Sequence, residues 1–191
     1  MPGRLFAVRH GETEWSLSNR HTGTTDIPLT EAGRDGAKHV GEALSGRPFA
    51  LVLTSPLSRA RDTAALAGFP DAIVDDDLRE WNYGDYEGLK TVDIRNDRPG
   101  WFLWDDGVPN GETFDDIAAR ADHVIARVRA VDGDALVFAH GHLLRVLGSR
   151  WIDQPPGFGR HLILSPATLS ILGYEREAPA LETWNASVHA R

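Results

Sequence analysis

The sequence predicts an α/β fold, a three-layer sandwich with a mostly parallel central sheet flanked by helices, formed by residues 1–191 as a single domain. Three observations predict it. The short apolar runs Leu5-Phe6-Ala7-Val8, Leu51-Val52-Leu53 and Leu136-Val137-Phe138-Ala139 are each bounded by turn formers and read as buried strands. Each run is followed by a stretch that can open a helix, the alternation expected of an open sheet with helices on both faces. With 191 residues and 41% hydrophobic content, the chain can bury one sizeable core.

The elements follow in order. After the first strand, the polar segment 12–28, with Thr22-Gly23-Thr24-Thr25-Asp26 as turn chemistry, is expected to loop over the strand ends. Thr30 is placed to cap a helix with Glu31 in its first turn and a buried stripe of Gly33, Gly36, Ala37, Val40 and Leu44, ending near Gly46. The second strand runs into Ser55-Pro56, read as cap and first helical position of a short helix carrying Leu57, Ala60, Ala64, Ala65 and Ala67. Residues 72–74 are expected as a third strand with Asp75-Asp76-Asp77 as its exit, followed by an irregular segment over 78–88.

Residues 90–110 lack a clear period and are read as a short helix plus a loop packed over the pocket, with Trp101 and Trp104 as core or pocket wall. The clearest helix covers 113–131, where Phe114, Ile117, Ala121, Val124, Ile125 and Val128 recur at helical spacing and Asp115-Asp116 favour the first turn. Gly133 stops it before a strand over 135–139. A helix over 143–151 and terminal strands over 162–164 and 169–172 complete the prediction.

Composition narrows the function. The net charge is −8, the only lysines are Lys38 and Lys90, and no Lys/Arg run occurs, so nucleic acid is not an expected partner. No apolar stretch approaches the roughly 20 residues that cross a bilayer. Only Met1-Pro2-Gly3-Arg4 precede the first strand, too few for a signal peptide, so a cytoplasmic location is expected. The absence of cysteine excludes disulfides, thiolate nucleophiles and Cys-ligated zinc. Oligomeric state, homo-oligomer included, stays open.

The three apolar runs break off into Arg9-His10-Gly11, Ser55-Pro56-Leu57-Ser58-Arg59 and His140-Gly141-His142. Ligands of open α/β sheets bind beyond the carboxyl ends of the strands, where these clusters can converge. Two histidines and two arginines in one crevice suit an anion, and the planar fork of arginine suits two phosphate oxygens at once. Such a local cluster makes a positive pocket on an acidic molecule.

Together with Leu78-Arg79-Glu80-Trp81-Asn82-Tyr83-Gly84-Asp85-Tyr86-Glu87-Gly88, Asn110-Gly111-Glu112-Thr113 and Leu144-Arg145, these clusters resemble the histidine phosphatase superfamily, also called phosphoglycerate mutase-like. The resemblance covers nearly the whole chain and is strongest to sedoheptulose 1,7-bisphosphatases and bacterial acid phosphatases. It implies a phosphoglycerate mutase-like fold and His10 as the nucleophile that forms a phosphohistidine. It further implies Arg9 and Arg59 as phosphate clamps, His140 as a donor to the phosphoryl oxygens and Glu80 as general acid. Neighbouring cations keep a histidine neutral, which a nucleophilic imidazole requires. Thr22 and Gly23 match phosphate-contacting positions, Gly141 is a further candidate substrate contact, and Ser16 stands where mutases carry asparagine. His142 departs from the smaller residue common there, and His21 is a further candidate contact. Glu112 is expected to anchor the helix start or to bond Arg59. His39, His123, His161 and His189 are expected to be structural or surface residues. No cofactor or metal is implied.

The expected activity is a phosphomonoesterase on a small phosphorylated metabolite, a sugar phosphate or bisphosphate. A cofactor-dependent phosphoglycerate mutase is the rival, disfavoured because residues 100–112 carry no Arg or Lys. A metal-dependent hydrolase using His140 and His142, and a non-catalytic phosphate-binding module, are the remaining readings.

Overall fold

Alternating side chains on the central strands face two separate apolar layers, and this divides the molecule into three. In β1 (Leu5–Arg9) and β4 (Ala135–Ala139), Leu5, Ala7, Val137 and Ala139 pack to one side, while Phe6, Val8, Leu136 and Phe138 pack to the other. The computed structural model describes residues 3–188. His189 therefore lies outside the described residues.

The chain runs β1, α1 (Glu14–Leu17), α2 (Glu31–Leu44), β2 (Leu51–Thr54), α3 (Ser58–Leu66), β3 (Ile73–Val74), α4 (Thr91–Asp97), α5 (Leu103–Asp106) and α6 (Phe114–Arg129). It continues through β4, α7 (Gly141–Trp151), β5 (Thr168–Glu175) and β6 (Ala178–Ser187). The sheet order is β3-β2-β4-β1-β5-β6, with β3, β2, β4 and β1 parallel and β5 and β6 antiparallel to their neighbours. Helices α2 and α3 cover the Phe6 side, and α6 and α7 cover the Leu5 side. The fold is the expected α/β sandwich with a mixed sheet. Among the described residues, no helix is long and apolar enough to cross a membrane.

Four local expectations need correction. Residues 162–164 form no strand: Leu162 and Leu164 are buried and Ile163 is exposed, but the chain there pairs with nothing, because β5 takes the place beside β1. The last strand is instead β6, an edge strand with mostly half-buried side chains. The 12–28 segment contains α1, closed by a reciprocal capping box between Thr13 and Ser16. The helix after β2 starts at Ser58, not Pro56, because Asp26 accepts the Ser58 N–H at 2.9 Å and the Ser58 hydroxyl at 2.8 Å. Ser55 serves a different partner, described below.

Two glycines let the site loop sit against α2. A β-carbon on Gly11 would lie 2.3 Å from the Gly33 carbonyl oxygen, and one on Gly33 would lie 2.2 Å from that of Glu12. The glycines in α2 lower its intrinsic helix propensity and are retained for close backbone approach beside His10.

Candidate active site

Parallel pairing of β2, β4 and β1 places three adjacent strand ends side by side, and the residues that leave those ends meet there. His10 is 5% exposed, and its ring centroid stands 5.1 Å from that of fully buried His140. The His10 Nδ1–H donates to its neighbour's carbonyl, Gly11 O, at 2.7 Å, which leaves the Nε2 lone pair as the ring's acceptor. Burial, and then the charges of Arg59 and Arg9, hold the His10 imidazole well below its ordinary pKa.

A cavity of about 100 Å³ opens over His10, walled by Arg9, Ser16, His21, Thr22, Glu80, Gly141 and His142 among the expected residues. Arg9 donates one terminal N–H to the Leu164 carbonyl, and its Nε is buried without a hydrogen-bond partner among the described residues. An unpartnered buried guanidinium donor is costly, and an anion removes that cost.

Arg59, Gly23 and His140 stand behind the wall. Arg59 is fully buried and donates to the carbonyls of Thr22, Gly23 and Thr25 and, through Nε–H at 3.1 Å, to His140 Nδ1. That contact fixes the His140 tautomer, so its Nε2–H donates to Ser55 Oγ at 2.7 Å. Arg59 thus ties the 22–25 loop to His140 while its charge acts on His10. The Gly23 N–H is turned to Glu87 at 3.0 Å, and glycine is needed there because a β-carbon would meet the Trp81 carbonyl oxygen at 2.5 Å. Ser16 donates its hydroxyl to the Thr13 carbonyl, and Thr22 donates to that of Arg20.

Glu80 is 6% exposed and sits at the start of α7, where Oε2 accepts the His142 N–H at 3.0 Å and Oε1 accepts the Leu143 N–H at 2.9 Å. Oε1 also accepts the Trp81 N–H. These are two of the amide donors that a helix N-terminus leaves unsatisfied. Gly141 lies between the two charged groups: a β-carbon there would stand 3.4 Å from the Arg9 guanidinium and 3.6 Å from Glu80 Oε2, ordinary contact distances.

Sequence reasoning missed how Glu80 is held. Glu112 bonds Arg120, not Arg59, through contacts of 2.7 and 2.8 Å, and its Oε2 accepts the Asn82 N–H. Arg120 also donates to the Asp77 and Arg79 carbonyls, so the pair clamps the backbone on both sides of Glu80. Tyr83, Arg145 and Arg20 also join the cavity wall. The signal for Arg145 was its spacing from Gly141 and His142, which puts all three on one face of a helix.

His142 and His140 do not address one point. His142 shares a 2.6 Å hydrogen bond with the Tyr83 hydroxyl, whereas both nitrogens of His140 are engaged by Arg59 and Ser55. Trp101 and Trp104 are buried in the core, as expected. His39, His123 and His161 do not line the cavity.

Burial holds the imidazoles of His10, His140 and His142 well below the ordinary 6.5, and that of His21 below it. The unfolded chain therefore takes up protons near pH 6 that the folded chain refuses. Stability from the neutral rings is complete above pH 6.5 and is lost as pH falls below it. Denaturant unfolding at a series of pH values is expected to show the free energy rising from about pH 5 to 6.5. A flat profile over that window contradicts the assignment.

Known proteins resemble this chain over nearly its whole length. A family model described as histidine phosphatase superfamily, branch 1, matches residues 5–187. The chain is 37% identical over 190 residues to an acid phosphatase of Mycobacterium tuberculosis, covering 97% of this chain and 94% of that protein. It is 39% identical over 182 residues to sedoheptulose 1,7-bisphosphatase of Saccharomyces cerevisiae, covering 78% of this chain and 67% of that protein. A solved structure of a Mycobacterium tuberculosis open reading frame matches with a TM-score of 0.92 at 37% identity, over 98% of this chain and 99% of that one. A match that runs from β1 to β6, across the elements that bring His10, Glu80 and His140 together, makes this chain a member of branch 1 of the histidine phosphatase superfamily.

Proposed function

We propose that this chain hydrolyses phosphate monoesters of small phosphorylated metabolites, sugar phosphates or bisphosphates, through a phosphohistidine on His10. The observation that carries the reading is the His10 tautomer: Nδ1–H is spent on the Gly11 carbonyl, and Nε2 is left as acceptor in a ring held neutral at a cation-walled cavity. Two relatives named as an acid phosphatase and a sugar bisphosphatase support the substrate class.

In the first step, His10 Nε2 attacks phosphorus, the bond to the leaving oxygen breaks, and that oxygen takes a proton from Glu80. In the second, water attacks phosphorus, the N–P bond breaks and returns its electron pair to the ring, and Glu80 accepts the water proton. The Arg9 guanidinium holds phosphoryl oxygens, and the Gly141 amide at the start of α7 adds a donor where charge grows. Arg59 and His140 are positioning residues that act through His10 and the 22–25 loop. Arg120 and Glu112 do the same for Glu80.

Product analysis tests hydrolysis against transfer. Incubation with a sugar bisphosphate is expected to give free phosphate and the monophosphate. Efficient interconversion of 3- and 2-phosphoglycerate, with little phosphate released, would instead establish a mutase.

A further inference from the structure

The motif Gly84-Asp85-Tyr86-Glu87-Gly88 carries a carboxylate that the chemistry at His10 does not use. Glu87 is half-buried and lines none of the cavities walled by Arg9, His10 or Glu80. Its oxygens accept main-chain N–H groups of the loop beside the site: Oε1 and Oε2 share the Gly23 N–H at 3.0 Å, and Oε1 accepts the Thr25 N–H at 3.0 Å. The loop comes this close because residue 23 is glycine, since a β-carbon there would stand 2.7 Å from Glu87 Oε2.

The same loop gives its carbonyls to Arg59, whose Nη2 donates to Thr22 O at 3.1 Å and Gly23 O at 3.0 Å and whose Nη1 donates to Thr25 O at 2.9 Å. The Thr22 carbonyl and the Gly23 N–H belong to one peptide unit, and in a trans peptide these two groups point opposite ways. That unit is therefore held between a carboxylate and a guanidinium, each at the end of the peptide dipole it favours. Arg59 donates to no carboxylate among the described residues, so the peptide is the link between the two charges. Residue 21 is docked on residues 88–89 by main-chain bonds alone, His21 N–H to Leu89 O at 2.9 Å and Gly88 N–H to His21 O at 2.8 Å. The task of the Glu87 side chain is thus confined to residues 23–25.

We propose that Glu87 is a positioning residue for the reaction at His10: across the Thr22–Gly23 peptide it sets the plane of the Arg59 guanidinium, and through the Arg59 Nε–H it keeps His140 in the tautomer protonated at Nε2. The consequence for turnover rests on the phosphatase reading of the His10 pocket; the effect on His140 does not. The donors of a guanidinium lie in one rigid plane, so the carbonyls that hold Nη1 and Nη2 also aim the Nε–H at His140 Nδ1, 3.1 Å away. Hydrogen bonds in a chain polarise one another, so a negative charge on the Gly23 N–H strengthens the Thr22 carbonyl as acceptor for Arg59. When the loop loses that anchor, the Arg59 Nε–H loses its line to His140. Nδ1 is then free to take the ring proton, and the ring beside His10 is no longer held to one arrangement.

Glu87→Gln removes the charge and sets an NH2 group against the loop amides. The variant is followed by a melting curve, by steady-state hydrolysis of p-nitrophenyl phosphate, and by the nitrogen chemical shifts of the His140 ring in histidine-labelled protein. The unaltered chain is expected to show a protonated Nε2 and a bare Nδ1. In the folded variant the two shifts are expected to converge as tautomers mix, with kcat lowered about 10- to 100-fold, the worth of a charge-assisted hydrogen bond, and KM changed by no more than about twofold. A folded variant that keeps the original His140 shifts overturns the proposal whatever its rate, as does one whose tautomers mix while kcat stays unchanged. If Glu87→Gln fails to fold, Glu87→Asp, which keeps the charge but is one methylene too short to reach both amides, is expected to show the same pair of changes and is judged by the same outcomes. Absence of phosphate release by the unaltered chain is a different result: it overturns the phosphatase reading, while the His140 shifts still judge the link from Glu87.

Discussion

His10→Ala is expected to lower phosphate release by about four to six orders of magnitude, the loss typical of removing an enzymic nucleophile. The structure leaves no substitute for it. His140 is the nearest ring, but its Nδ1 receives Arg59 and its Nε2–H is given to Ser55. His142 is bonded to the Tyr83 hydroxyl through Nδ1 and packs against the Trp104 ring. Binding is expected to outlast turnover, because the Arg9 guanidinium and the Gly141 amide remain. The check is a pair of measurements on one preparation, steady-state phosphate release and vanadate affinity. Ordinary turnover by the variant would remove His10 from the chemistry.

Glu80→Gln is expected to cost about two to four orders of magnitude with a sugar phosphate, the span of general acid–base effects. The loss should be smaller in the first step with p-nitrophenyl phosphate, whose leaving group needs little protonation. Water attack still lacks its base, so phosphohistidine should accumulate. Glutamine also places an NH2 group where Glu80 now accepts the amides of Trp81, His142 and Leu143. Setting a donor against a donor there is expected to lower stability by roughly 1–3 kcal/mol. A melting curve separates that effect from the kinetic one. An equal rate defect for both leaving groups would argue against Glu80 as the acid.

The parts of this molecule legible in the sequence are those where local pattern and tertiary role coincide. Four-residue apolar runs became β1 and β4 because both faces of a central strand are buried. Thr30 and Thr113 became caps because capping is decided within one turn of helix. The failures lie where a distant partner decides. Ser55 reads as a helix cap from the sequence, but its hydroxyl oxygen is shared between the His140 Nε2–H at 2.7 Å and the Leu57 N–H at 3.3 Å, and Asp26 accepts the Ser58 N–H from another loop. Leu162-Ile163-Leu164 alternates between buried and exposed without a neighbouring strand, since alternation reports sidedness and not pairing. β6 was missed because an edge strand with mixed burial carries little periodic signal.

The candidate site divides in the same way. His10, Arg9 and Glu80 stand beside the strand and helix ends that the motifs marked, and the cavity collects them. What the sequence did not show is the hydrogen-bond commitment of each group. Gly23 matches a phosphate-contacting position, yet its amide is taken by the Glu87 carboxylate. Arg59 was expected at the phosphate, yet its N–H groups go to three carbonyls and His140. Spacing identifies which residues share a crevice, and only the folded chain assigns their donors.

The central claim is that phosphorus becomes bonded to His10 before water takes it. Glu80→Gln mixed with p-nitrophenyl phosphate, quenched rapidly under alkaline conditions that preserve an N–P bond and digested to peptides, tests it most directly. The expected result is one phosphoryl group on the peptide that contains His10, forming no more slowly than p-nitrophenol appears. p-Nitrophenol release with no phosphoryl group on the chain, or with the group on His140 or His142, would contradict it.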